Sequence, residues 1–147
     1  MNTESMIHLY QDEEFAMEVF KTYRFRKGIV CKRCNCNEHY WLKSKNQFKC
    51  KSCKFRTTLR SGTVLEGSKL PVSYFLIALH LLSEKGDNVS PEELQRVTNH
   101  KYFDPVWMFL RKIKAFVKED DQKVCIKNFT EVIQDLQVRN PHYLINQ

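Results

Sequence analysis

The sequence predicts an α+β fold in which a small four-cysteine β-unit is preceded by a short helix and followed by a helical domain. Three observations predict it. The pairs Cys31-x2-Cys34 and Cys50-x2-Cys53 are separated by 15 residues. The aromatic pieces between them lack helical period. After residue 68, apolar residues recur every three or four positions between capping signals. The length of 147 residues, 42% hydrophobic and 28% charged, suits one or two small soluble domains.

Asp12 to Phe25 reads as a short helix, with acids in its first turn, Phe15, Val19 and Tyr23 on one face, and Gly28 as its stop. "HYWLK" and "QFKC", separated by "SKN", form a β-hairpin, and "FRTTL" supplies a third strand. Leu70 to Glu84 is apolar nearly all round, begins with Pro71 in its first turn and stops at Gly86, the pattern of a buried central helix. Ser90 and Glu93 make a capping box with Pro91 at the first position of the next helix, which runs to about Val97. "TNHKYF" is a turn. Asp104 and Pro105 then read as the cap and first residue of a helix whose inner face is Val106, Leu110, Ile113 and Val117. Asn128 and Glu131 give a last capping signature, before Phe129, Val132, Ile133 and Leu136 on one face. The expected organisation is an N-terminal helix over 1–28, the cysteine unit over 29–67, a helical bundle over 68–119, and a linker with an amphipathic helix over 120–147.

No run approaches the roughly 18 apolar residues of a membrane span, and "MNTESMIHLYQDEEF" is acidic where a secretory signal is basic and then apolar. The chain is therefore expected in the cytoplasm, away from membranes. Disulfides are unusual there, so paired cysteines point to metal. Cys31, Cys34, Cys50 and Cys53 have the spacing of a tetrahedral site, and a unit too polar to fold by burial needs such a staple. The expectation is a zinc ribbon holding one structural Zn2+, whose binding free energy of about 10 to 16 kcal/mol becomes folding free energy. Cys36, two residues beyond Cys34, is a competing ligand that knuckle geometry disfavours. Cys125 is expected to be a buried free thiol.

The net charge is +7, and it is unevenly spread: residues 21 to 60 hold thirteen Lys and Arg against one acid. A metal held by four thiolates carries two formal negative charges, which balances only part of this excess. Lys32, Arg33, Lys43, Lys45, Lys49, Lys51, Lys54 and Arg56 are left as candidate phosphate contacts, interleaved with Tyr40, Trp41, Phe48 and Phe55. Each aromatic taken singly reads as core of the small unit.

The capped helix, tight turn and basic second helix outline a helix-turn-helix. Packing would bury Leu94, Val97, Val106, Leu110 and Ile113. It would turn Met108, Arg111 and Lys112 outward, with Lys101 and Tyr102 at the mouth of the turn, as candidate DNA contacts. Trp107 is expected to pack inside.

The stretches "DEEFAMEVFKTYRFRKGIVCKRC", "NQFKCKSCKFRTTLRSGTVLEGSKLPVSYFLIALHLLSEKG" and "VWMFLRKIKAF" resemble the N-terminal region of bacterial insertion-sequence transposases that start with a zinc ribbon and continue into a DDE nuclease domain. That family tends to have "CPxCG" at the first knuckle, where this chain has Lys32 and Asn35; Asn tolerates the left-handed backbone that Gly supplies. The resemblance implies a zinc-dependent protein that binds double-stranded DNA. Nuclease chemistry would need three carboxylates on an RNase-H-like sheet holding two metals, and the 30 residues after Val117 cannot build one. The chain is thus expected to recognise DNA without being an enzyme. The other expectation is an accessory module, docking on a transposase, polymerase or other protein partner through the C-terminal helix and the ribbon aromatics; a homo-dimer is a further expected partner.

Overall fold

The computed structural model describes residues 3–119 and 122–139, with side chains described for 6–118 and 126–139. The elements run α1 (Thr3–Tyr10), α2 (Glu13–Lys27), β1 (His39–Leu42), β2 (Gln47–Cys50), β3 (Arg56–Thr58), α3 (Val72–Lys85), α4 (Pro91–Thr98), α5 (Phe103–Glu119) and α6 (Gln122–Arg139). This is the α+β arrangement that the sequence predicts.

Asp12 starts α2 by accepting the Phe15 amide on Oδ1 at 3.2 Å, and Gly28 ends it in a left-handed conformation, φ +96°. Five residues of α2 are buried, Phe15, Ala16, Val19, Phe20 and Tyr23. Their aromatic rings join helices that are far apart in sequence: Tyr23 stacks on Phe129 of α6 at 3.9 Å, and Phe20 meets Phe75 of α3 edge-on at 5.5 Å. α3 is the central helix, buried on nearly every side and in contact with α1, α2, α4 and α5.

The sheet is antiparallel in the order β1-β2-β3. Strand alternation gives it two faces. Trp41, Phe48 and Thr57 pair across the inner face, where Phe48 is fully buried between Trp41 (4.9 Å) and Phe25 of α2 (5.0 Å). The Arg24 guanidinium lies 5.0 Å from the Phe48 ring and donates to the carbonyls of Thr58 and Leu59 at 2.9 and 3.0 Å. Phe48 shares one continuous core cluster with residues of α2 to α6. The ribbon is thus seated on α2.

Four local expectations are corrected. α1 was not foreseen, although Met6, Leu9 and Tyr10 have helical spacing and lie against the core. Pro71 sits just outside α3 as its N-cap, with extended backbone, φ −58° and ψ 150°, so that the helix starts at Val72. α5 starts at Phe103, so Asp104 and Pro105 lie in its first turn, where both a carboxylate and a proline are favourable. α6 starts at Gln122, which places Asn128 inside the helix. Its apolar face of Phe129, Val132, Ile133 and Leu136 is buried against α2 and α5, so that face is spent inside the chain and is not open to a partner. The side chain of Cys125 lies outside the described residues.

Candidate metal centre and basic face

The two CxxC turns share one backbone design. In the first, the Cys31 amide donates to the Cys36 carbonyl at 2.9 Å and the Asn35 amide to the Cys31 carbonyl at 2.9 Å. In the second, the Cys50 amide donates to Phe55 O at 2.9 Å and the Lys54 amide to Cys50 O at 3.1 Å. Both turns close on a left-handed residue, Asn35 (φ +63°) and Lys54 (φ +68°). The turn directs amides at sulfur: Arg33 N–H reaches Cys31 Sγ at 3.4 Å.

The hairpin brings the two turns together. Cys31 Sγ lies 3.6 Å from Cys53 Sγ and Cys34 Sγ 3.5 Å from Cys50 Sγ, and all four sulfurs fall within 4.8 Å of one another. A tetrahedron with metal–sulfur bonds of about 2.3 Å has edges of about 3.8 Å, so the four cysteines are positioned to hold a metal ion. The backbone amides favour thiolate at Cys50 and Cys31. The Cys53 amide, with help from Ser52, pulls the Cys50 thiol down to about 6 against the effect of burial. Burial raises the Cys31 thiol, but the Cys34 and Arg33 amides and two neighbouring sulfurs outweigh it and the net direction is down. At Cys34 the Cys36 amide pulls down, yet burial and the three neighbouring sulfurs win and push the thiol up to about 12. Four sulfurs this close cannot all ionise cheaply without a cation among them. Cys36 is outside the cluster; its sulfur accepts the Glu38 amide at 3.4 Å.

The cations predicted around the ribbon fall into separate groups. Tyr40, Lys49 and Arg56 are in register across β1, β2 and β3 and share the outer face of the sheet. Lys49 Nζ and Lys54 Nζ lie 5.9 and 5.7 Å from the Tyr40 ring centre. Lys43 and Lys45 are exposed at the hairpin tip, where Asn46 adopts φ +52°. Arg33 and Lys51 are exposed on the knuckles, and Lys32 Nζ donates to Ser61 Oγ at 3.0 Å. Of the aromatics, Phe48 is core, Trp41 and Phe55 are half-buried, and Tyr40 stays exposed.

In the helical half, Leu94, Val106, Leu110 and Ile113 are buried and Val97 partly so, as the periodicity requires. Ser90 Oγ accepts the Glu93 amide at 3.2 Å, and Asn99 closes α4 in a left-handed conformation, φ +55°. The Glu93 carboxylate does not return to the cap but pairs with Lys85. Met108, Arg111 and Lys112 are exposed along α5, and Lys101 Nζ lies 5.4 Å from the exposed Tyr102 ring. Trp107 is also outside, 43% exposed, with the Arg111 guanidinium 5.5 Å from its ring. Helix phase explains the correction: Trp107 follows Val106, which takes the inward position. Lys112 Nζ donates to the Glu66 carbonyl at 3.3 Å. The loop between β3 and α3 is therefore touched by Lys32 at Ser61 and by Lys112 at Glu66, which sequence spacing could not reveal.

Among the described residues, no helix is long and apolar enough to cross a membrane. No curated protein and no solved structure matches the chain. Residues 11–56 match the model of the transposase zinc-ribbon domain. The matched segment is also a physical unit: it holds α2, both knuckles, the hairpin and the first residue of β3, the parts that Phe48, Phe25 and Arg24 pack into one piece.

Proposed function

We propose that this is a zinc-dependent DNA-binding protein, related to the DNA-recognition part of an insertion-sequence transposase. One zinc ion sits among Cys31, Cys34, Cys50 and Cys53. When bound it supplies a structural crosslink and offers no open position for chemistry, because four thiolates fill its shell. The ribbon cations grip phosphates, while α4 and α5 act as a helix-turn-helix whose outward side chains, Met108, Arg111 and Lys112, face base edges. In this reading the chain recognises DNA and does not cut it.

The observation that carries the proposal is the meeting of two cationic surfaces at one loop. Lys32 of the first knuckle and Lys112 of α5 both bond to the segment between Ser61 and Glu66, so ribbon and helix can follow one polyanion. The test is duplex binding by the zinc-loaded protein at several salt concentrations. With roughly 6 to 10 phosphate contacts, affinity drops by about 10³ to 10⁵ between 50 and 200 mM salt. Chelation abolishes it. Affinity indifferent to salt and chelator sinks the reading, and metal-dependent strand cleavage by the purified chain sinks its non-enzymatic part.

One observation favours a second reading, that of an accessory module for a protein partner. Phe103, Trp107 and Met108 expose apolar surface on α5, 38, 43 and 63% respectively. Charge reversal at Lys49, Lys51 and Lys54 separates the two: it removes DNA retention under the first and spares partner capture under the second.

A further inference from the structure

We propose that the outer face of the sheet is a stacking site for an unpaired nucleobase, with Tyr40 as the platform, so that the protein prefers DNA carrying a single-stranded tail to blunt duplex. The inference rests on the DNA-binding reading and names the form of DNA that one surface takes.

The three strands carry three aromatics, Tyr40, Trp41 and Phe48, and two of them have structural work. Phe48 and Trp41 pack inward with α2. Tyr40 is on the opposite face, 36% exposed, on the edge strand. Its cross-strand neighbour is Lys49, followed by Arg56 on β3, which sets one ring and two cations in a row across three strands. Lys54 reaches the same ring from the second knuckle. Both ammonium groups lie within 6 Å of the ring centre, so the phosphate next to a base stacked on Tyr40 has a cation within reach.

Magnitudes decide between a self-contained cation–π cluster and a ligand site. An exposed cation–π contact is worth about two- to fivefold in an equilibrium. Base stacking on an aromatic side chain is worth about 5- to 150-fold by alanine substitution. A base can therefore displace a lysine from the ring, and the freed ammonium then pairs with the adjoining phosphate. A closed duplex cannot do this, since its bases already stack on each other.

The test uses the full zinc-loaded chain and fluorescence anisotropy with three probes: a blunt duplex, the same duplex with a short single-stranded tail, and oligo-dT. The tailed duplex is expected to bind more tightly than the blunt one. Tyr40→Ala should lower affinity for the tailed duplex and for oligo-dT by about 5- to 150-fold, while blunt duplex changes less than twofold. Tyr40→Phe should retain binding, since stacking needs the ring and not the hydroxyl. Zinc content measured on each variant confirms that the ribbon stays folded. Equal loss on all three probes, or no loss on any, overturns the stacking site and leaves the DNA reading standing. Failure of the unsubstituted protein to bind any of them at low salt overturns both.

Discussion

Glu13, in the first turn of α2, accepts the backbone N–H of Ser73, in the first turn of α3, at 3.0 Å. The contact spans 60 residues and replaces a cap that α3 lacks, because Pro71 at its start has no side-chain acceptor. Burial raises the Glu13 carboxyl pKa, although the Ser73 and Val72 amides and Arg60 pull the other way. The sign follows. A raised folded-state pKa means this group stabilises most below its unfolded pKa, and that contribution is lost as pH rises through the folded value. At pH 7 the acceptor is useful and the charge is not. Glu13→Ala is therefore expected to destabilise the zinc-loaded protein by about 1 kcal/mol, and Glu13→Gln, which keeps the oxygen, to be neutral or slightly stabilising. Urea unfolding at pH 7 measures both, and equal losses would show that the charge matters.

Lys54 carries a left-handed backbone, φ +68°, where a residue with Cβ is strained. Lys54→Gly should relieve about 1 kcal/mol and slow zinc loss to a chelator. The same change removes one cation from beside Tyr40, so DNA affinity should weaken while metal retention improves. Opposite signs for the two readouts are the signature to look for. Asn35→Gly, at the matching place in the first knuckle, should change stability by only a few tenths of a kcal/mol, because Asn tolerates this region.

Four sulfurs within 4.8 Å, and Cys36 outside them, give unequal expectations for the five cysteines. Serine at Cys31, Cys34, Cys50 or Cys53 should remove most of the roughly 10 to 16 kcal/mol that a structural zinc site contributes. Cys36→Ser should leave one zinc per chain. Cobalt substitution followed by absorption spectroscopy distinguishes a four-sulfur tetrahedron from three sulfurs and an oxygen. Full spectral intensity in Cys34→Ser would mean that Cys36 takes its place.

Much of this was legible in the sequence for physical reasons. Cysteine spacing encodes metal geometry directly, so the ribbon and its hairpin were readable, as were helices whose buried faces repeat at 3.6 residues, such as Val106 to Val117. The left-handed Asn35 was readable too, since few residue types accept that backbone. Contacts between distant segments leave no such trace. Nothing local announces that Arg24 would cover Phe48 and bond to Thr58 and Leu59, or that Glu13 would cap α3. Trp107 was misread because its bulk suggested core, while the phase fixed by Val106 and Leu110 turned it to solvent. The helix starts at Phe103 and Gln122 were missed because a capping signature inside a good helical run is also compatible with the helix interior.

Lys49 on the sheet and Lys112 on α5 provide the sharpest test of whether ribbon and helix engage one duplex. Each phosphate neutralised by a lysine adds about 0.9 to the slope of log affinity against log salt. Lys49→Gln and Lys112→Gln should each reduce the slope by that amount, and the double variant by about 1.8, since the two do not share a partner. Lys112 now donates to the Glu66 carbonyl at 3.3 Å from an exposed position, a contact too weak to keep its charge from DNA. Stability should change by less than about 0.5 kcal/mol in both single variants, which separates lost contacts from lost fold. Reduction by Lys49→Gln alone would place the ribbon on the DNA and α5 elsewhere, so that the exposed Trp107 and Met108 would then be the surface for a protein partner.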